Sequence, residues 1–324
     1  MAPSPRNLAV IALAAALFVA SPALASLKGP SVPPPADPYA DPANDPDNPM
    51  GYIASNGLTT VALILIVSAF IGHAFNLIKW GAWWLTCLAV GEITFALGIA
   101  ARYALHAHPD SKNIYITEYL LVVLSPCAFI AADYILLGRL AMFLDGGDHL
   151  FIRPSRIGMA FLLSDVSTFL IQALGGTVSL QSNTSKGAAL GAHISLTGLG
   201  LQLFSFVVFT AIFIRFSLRI RKYEPRLWLQ DEGKGWFNDW RTIIIAMCIS
   251  CVGITIRSVY RILENAQGFK GSISRNETTF YLFDTLPLWL AVVVYVPFWP
   301  GRLLPAKGSR AAFDHVEMRE PKDY

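Results

Sequence analysis

Charge is what this chain has least of. Lys, Arg, Asp and Glu make up 15% of its 324 residues, against a hydrophobic share of 54% and a mean hydropathy of +0.49. Soluble domains usually carry about 25% charged residues, so the composition excludes an ordinary soluble globule and points to a membrane protein. The net charge of +3 is spread over several loops, which leaves no basic patch for a nucleic-acid partner.

Cysteine is scarce too. Cys87, Cys127, Cys248 and Cys251 all fall inside apolar runs, so no loop has a pair to staple it. Cys248-Ile-Ser-Cys251 has the CxxC spacing, which on a lipid-embedded helix reads as packing rather than as a metal or redox site. With six His in all, and only His73 and His193 in or near apolar runs, a zinc hydrolase lacks its converging ligands. A Walker A sequence is absent, so no nucleotide site is expected. Neither catalysis nor a cofactor or metal is predicted.

What is present divides the chain clearly. Residues 1–25 carry Arg6, an apolar core from Leu8 to Ala20 and Ala23-Leu24-Ala25, the pattern of a signal peptide cut after Ala25. Its core is too short for a hydrocarbon layer that needs about 20 residues; an uncleaved anchor is the alternative. Residues 26–51 are rich in Pro and Asp and read as a disordered external tail, because they cannot bury enough apolar surface to offset ordering. Residues 52–304 form the membrane domain, and 305–324 a short cytosolic tail.

Within 52–304 lie seven apolar stretches, near 57–78, 80–103, 117–142, 157–180, 190–214, 240–263 and 278–299. Each is about long enough to span a bilayer. The fold predicted is all-α, a seven-transmembrane-helix bundle with the N-terminus outside and the C-terminus cytosolic. Loop charge agrees, with fourteen Lys and Arg on the segments predicted cytosolic and five on those predicted external, as the positive-inside rule requires. The sequons at Asn183 and Asn276 fall in loops external in this topology, as glycosylation acceptors must. Trp80, Trp83, Trp84, Trp236, Trp240 and Trp299 cluster near the predicted interfaces, as an anchoring belt would.

An ionisable group in hydrocarbon costs at least about 2.5–3.5 kcal/mol, so each needs a partner, a cavity or a function. Arg257, Arg261 and Glu264 are spaced i, i+4, i+7 and share one stripe of the sixth run. At 1.5 Å per residue, Arg257 lies about 10 Å below Glu264, and Asp284 about 9 Å into the seventh run. The expected pairs are Arg257 with Asp284 and Arg261 with Glu264. Two readings stay open: a clasp between the last two spans, or the wall of a polar cavity open to the outside. Pro287, which removes a helical hydrogen bond beside the acid, favours a cavity. Glu92, Asp165, Gln172 and Gln202 join the candidate cavity, with Arg102 at the outer end of the second run. Asp133 and Asp165 are placed at similar depth, where two acids can share a proton. Pro126 marks a kink, and Gly175, Gly176, Gly191, Gly198 and Gly200 mark close helix packing.

These pieces, in this order, resemble a known family. Glu92 with Arg102, Ala131 through Arg139, Phe161 through Asp165 with Gln172 and Gly175-Gly176, and Gly198-Leu199 with Gln202, Phe206 and Phe209 carry the likeness. Arg257 through Arg261, Glu264, Gly268, Glu277, Tyr281, Asp284 and Pro287 complete it. The chain resembles the fungal lipid-translocating exporters, a seven-span group that includes aminosterol-resistance proteins and the sphingoid long-chain-base exporter. It departs at Trp299-Pro300-Gly301, where the family commonly has His-Pro-Gly, and at Asp133, where a small or apolar residue is expected.

The resemblance implies movement of amphipathic lipids, or protection against toxic ones such as sphingoid bases and sterol-like compounds, at a plasma membrane reached by secretion. Membrane lipids and an amphipathic cargo are the expected partners, beside a second copy of the chain or a separate energising partner. The alternative is a seven-span receptor or stress sensor signalling through the basic loop Arg215–Lys234. Against it, the Asp/Glu-Arg-Tyr and Asn-Pro-x-x-Tyr signals of such receptors are absent.

Overall fold

The computed structural model describes residues 37–43, 45, 48–144, 150, 154–182, 184–229, 233, 235–268 and 271–304. The signal peptide, the C-terminal tail and Asn183 therefore lie outside the described residues. Among those described there is no strand; the regular structure is helical throughout.

The long helices are α1 (Asn56–Trp80), α2 (Thr86–Ala107), α3 (Lys112–Phe143), α4 (Pro154–Gln181) and α5 (Ser185–Tyr223). A short α6 (Pro225–Leu229) leads to α7 (Arg241–Gln267). Their ends follow local chemistry. Ser55 and Thr184 cap α1 and α5 by accepting from the N–H of Leu58 and Gly187, which satisfies donors that a helix start leaves unpaired. Gly81 ends α1 and Gly268 ends α7 at φ of 72° and 70°, a region glycine enters without a Cβ penalty.

Among the described residues, six helical segments are long and apolar enough to cross a membrane. The seventh apolar stretch is helical but segmented. It runs through α8 (Glu277–Phe280), a π-helical turn (Tyr281–Thr285), α9 (Leu286–Val293) and, after a turn, α10 (Pro300–Leu303). The interruption has a local cause. Leu286 donates to the Tyr281 carbonyl, and Pro287 beyond it has no N–H to restore the α-helical ladder.

α3 is the central helix. Most of its apolar stretch is buried, whereas α1 and α5 leave most of theirs exposed. The exposed faces, with Ile64, Ile71 and Phe75 on α1 and Leu201 and Phe204 on α5, are as apolar as the core. A protein surrounded by lipid needs that pattern and a water-soluble one avoids it. The inward face of α5 carries Phe206, Phe209, Phe213, Phe216 and Ile220 at helical spacing, all fully buried.

The expected Trp belt holds only in part. Trp80, Trp83 and Trp236 are exposed, while Trp240 and Trp299 are buried in the core; Trp228 meets the Trp240 ring edge-on at 5.7 Å. The Pro/Asp-rich tail also does more than its composition predicts near its end. Asn48 accepts from the N–H of Met50 and Gly51, and Met50 packs in a small buried cluster with Ala54 and Leu105. Tyr39 donates to the Ala107 carbonyl at 2.9 Å. The Tyr39 hydroxyl and the Met50 side chain tie this end of the tail to the bundle, and Asn48 closes a turn within it.

α4 and α5 approach through glycine. A Cβ at Gly175 would meet the Ser195 backbone nitrogen at 2.4 Å, and one at Gly191 the Ser179 nitrogen at 2.3 Å, whereas Gly200 faces open space. Backbone cannot yield as a side-chain tip can, so Gly175→Ala should lower stability by about 1–3 kcal/mol. Gly200→Ala should be neutral or stabilise by up to about 1 kcal/mol. Thermal unfolding of the two variants in detergent tests this, and equal effects would refute the close-packing account.

A candidate polar cavity at one end of the bundle

The polar interior begins at a proline. Pro126 lies inside α3 and lacks the N–H that would bond the carbonyl four residues earlier, at Val122. That oxygen accepts from Arg257 of α7 at 2.8 Å and from the Ser125 hydroxyl at 3.0 Å. Arg257 also approaches Asp284 of the π-helical turn at 3.1 Å. The Nε is not aligned to donate, so this contact is an ion pair by distance and not a hydrogen bond. Asp284 is fully buried and takes its hydrogen bond from Arg261 Nε at 2.5 Å. Arg261 reaches Glu264 as well, at 2.9 Å.

A second arginine repeats the plan. Arg102 of α2, 2% exposed, donates to Glu118 of α3 at 3.1 Å, to the Tyr52 hydroxyl at 2.8 Å and to Glu277 of α8 at 3.1 Å. Its guanidinium lies over the Phe280 ring at 4.5 Å, and Arg261 faces the same ring at 5.4 Å, so one aromatic serves both cations. Glu277 in turn accepts from the Ser55 N–H at 2.9 Å, tying α8 to the start of α1. Burial pushes the Tyr52 phenol up to about 12; it is a neutral hydroxyl that accepts from Arg102.

Between these networks lies a cavity with about 100 Å³ open to the centres of water-sized molecules. Arg102, Glu118, Arg261 and Glu264 supply its charges, Tyr119 and Ser195 are among its hydroxyls, and Pro49 and Met50 of the tail help to line it. Gly176, Leu199 and Phe280 contribute apolar wall. Asn265 donates to Ser195 at 3.0 Å, linking α7 to α5 at the cavity.

The other candidates lie elsewhere. Arg257 and Asp284 sit behind the cavity wall, among the residues that fix Arg261. Glu92 bonds His73 of α1 at 2.8 Å, both buried, and the His73 ring lies 5.8 Å from Trp299. Gln172 donates to Gln202 at 2.7 Å, and Gln202 donates to the Cys127 sulfur at 3.5 Å. Asp165 accepts from Tyr134 at 2.8 Å, while Asp133 accepts from Tyr295 at 2.6 Å and from Ser250 at 2.8 Å. The expected pairing of Asp133 with Asp165 is thus replaced by separate neutral donors. Consecutive helix positions diverge by about 100°, so Asp133 turns toward α7 while its neighbour Tyr134 turns toward α4. Cys251 is buried and Cys248 exposed, so the two thiols do not converge. No group of metal ligands occurs among the described residues. Asn276 is exposed, and its side-chain oxygen caps α8 by accepting from Thr278 and Thr279.

Glu118, Tyr52 and His73 were not foreseen as partners. A signal for Glu118 existed, because Arg102 and Glu118 are equidistant from the α2–α3 turn and an antiparallel hairpin brings such positions together. His73 and Glu92 join helices whose rotation cannot be read from spacing alone.

Residues 88–307 match the family model described as RTA1 like protein. The chain is 30% identical over 205 residues to Protein RTA1 of Saccharomyces cerevisiae, covering 63% of this chain and 62% of that protein. It is 28% identical over 270 residues to Probable lipid transporter atnI of Emericella nidulans, covering 82% and 67%. It is 22% identical over 262 residues to Sphingoid long-chain base transporter RSB1 of Saccharomyces cerevisiae, covering 71% and 67%. The match thus spans less than two thirds of Protein RTA1. No solved structure matches. The family model covers more than half of the chain and includes most of the cavity's charged wall, and the chain is a multi-pass membrane protein that belongs to the RTA1-like family.

Proposed function

We propose that this protein transports amphipathic lipids or toxic lipid-like compounds, and that the outer cavity receives a cationic head group while the tail stays in lipid. It is not proposed to be an enzyme. The observation that carries the reading is the charge count around the cavity. In the ion-pair network that reaches the cavity, Arg102, Arg257 and Arg261 are met by Glu118, Glu264, Glu277 and Asp284, one acid more than base, while the wall itself carries two of each. A cationic guest neutralises that excess, whereas an anionic one adds to it.

The arrangement also supports exchange. Arg261 holds Asp284 behind the wall and Glu264 at the wall; Arg102 holds Glu277 and, at the wall, Glu118. An arriving amine can take the wall carboxylate while the arginine keeps its other acid, so no buried guanidinium is left without a partner. Two of the similar proteins are named a lipid transporter and a sphingoid long-chain base transporter, in keeping with such a cargo.

The membrane arrangement proposed is seven spans, with the α8–α9 segment as the last. The N-terminus and the loop between α7 and α8 are outside, the basic end of α5 is cytosolic, and the protein resides in the plasma membrane. The driving force is an ion or lipid gradient, or a partner protein.

Three outcomes are expected. In reconstituted vesicles, Glu264→Gln and Glu118→Gln should slow flux of a sphingoid base about tenfold or more, the effect of losing a charge-assisted hydrogen bond. Flux of a neutral sterol should be unchanged, and sphingoid-base flux at the wild-type rate in both variants would overturn the cavity reading. Asp284→Asn should act differently. By weakening the partner of two buried arginines it should lower stability by about 3–5 kcal/mol, seen as poor recovery of folded protein rather than as a clean transport defect. For topology, Ser272→Cys should react with an impermeant maleimide on intact cells, and Lys222→Cys only after permeabilisation. The reverse pattern would invert the orientation.

A further inference from the structure

α5 is 39 residues long, about 58 Å at 1.5 Å per residue, against a hydrocarbon layer of about 30 Å. One of its ends must therefore pass through the head-group layer. Its outward face changes character along its length. Phe204, Val208 and Ala211 are exposed and apolar, and the same face continues into Arg215, Leu218 and Lys222, with Arg219 beside it. These basic residues and Ile214 line a shallow groove, which Tyr223 closes at the helix end. The helix has no Asp or Glu anywhere in its 39 residues; the nearest acid is Glu224, immediately past its end. Arg221 is turned off the stripe and lies over the Trp228 ring at 5.8 Å.

We propose that this stripe is a binding site for an anionic phospholipid of the leaflet at that end of α5. Its acyl chains lie along Phe204, Val208 and Ala211, and its phosphate lies among Arg215, Arg219 and Lys222. The order of the stripe matches the order of the ligand, apolar first and cationic at head-group depth. The site is independent of the cavity and of its cargo. The same charges also orient the helix during insertion, but that role predicts no preference for one lipid once the protein is folded.

The test uses the full-length protein in phosphatidylcholine nanodiscs containing photoactivatable phosphatidylserine. Cross-linking should label the peptide 204–223, and native mass spectrometry should show phosphatidylserine retained over phosphatidylcholine. Arg219→Gln with Lys222→Gln should weaken retention about 25-fold, or about fivefold per charge, while Arg221→Gln should leave it unchanged. Labelling spread over all lipid-facing helices, or equal retention of the two lipids by the wild type, would overturn the proposal. So would displacement by inorganic phosphate, which would mark an anion site without lipid character. The wild-type labelling pattern decides the matter even where the double variant does not fold.

Discussion

Pro126 carries no N–H, so the Val122 carbonyl has no backbone N–H to accept from at that position, and Arg257 reaches that oxygen from α7. A guanidinium in an apolar interior is tolerated only where its donors are met. Here one donor is met by a backbone oxygen that a proline has released. The charge itself is met by Asp284, which the π-helical turn carries at full burial. Three segments are thus registered against one another by one side chain. The proline inside α3 and the one that follows the π-helical turn both adjoin this contact. Arg261 takes its position from the same carboxylate, and through Glu264 it presents charge to the cavity.

Polar groups are sorted by depth along the bundle. Toward the end where α2 meets α3, three arginines meet four acids, and most of these charges have two partners. Toward the other end the buried acids Glu92, Asp133 and Asp165 have no arginine or lysine partner among the described residues; they are met by His73, Tyr295, Ser250 and Tyr134. The first arrangement can exchange partners with an entering charge, because each arginine at the wall keeps a second acid. The second is built from one or two contacts per acid to neutral hydroxyls and one imidazole, which fix helix positions. Glycine contacts between α4 and α5 stiffen the side of the cavity formed by those helices, where Ser179 and Ser195 stand.

Much of this was legible before the structure. Apolar run length located the six long helices, depth arithmetic across the α7–α8 turn brought Arg257 to Asp284 because rise per residue is nearly constant, and i, i+3 spacing on α7 brought Arg261 to Glu264; the hydrogen bond from Arg261 to Asp284 was not expected. What spacing could not supply was the rotation of each helix about its axis. Glu92, Asp165 and Gln172 are buried and Gln202 and Glu264 partly buried, and composition cannot separate those that face the cavity from those that face a neighbour. Rotation also sends Asp133 and Asp165 to different partners. The end of the Pro/Asp-rich tail was missed for another reason. Its order depends on Asn48 closing a turn and on Met50 finding a site made by Leu105 of α2, a contact across 55 residues that no local rule contains.

The two readings, a clasp between the last two spans and the wall of a polar cavity, resolve into a division of labour along one chain of contacts. Arg257 and Asp284 are buried and lie off the cavity, so their contact holds segments together; Glu264 and Glu118 stand at the wall, where a guest can compete for them. Arg261 belongs to both, since its Nε binds Asp284 and its terminal nitrogen binds Glu264. In the proposed transport role, a cation that takes Glu264 strengthens the claim of Asp284 on Arg261, and with it the competition between Arg261 and Arg257 for the same carboxylate oxygen. Both arginines contact Asp284 through Oδ1, so a change at the wall reaches the α3–α7 contact through a single atom. That shared oxygen is a physical route by which occupancy of the cavity can bias the packing of the helices around it.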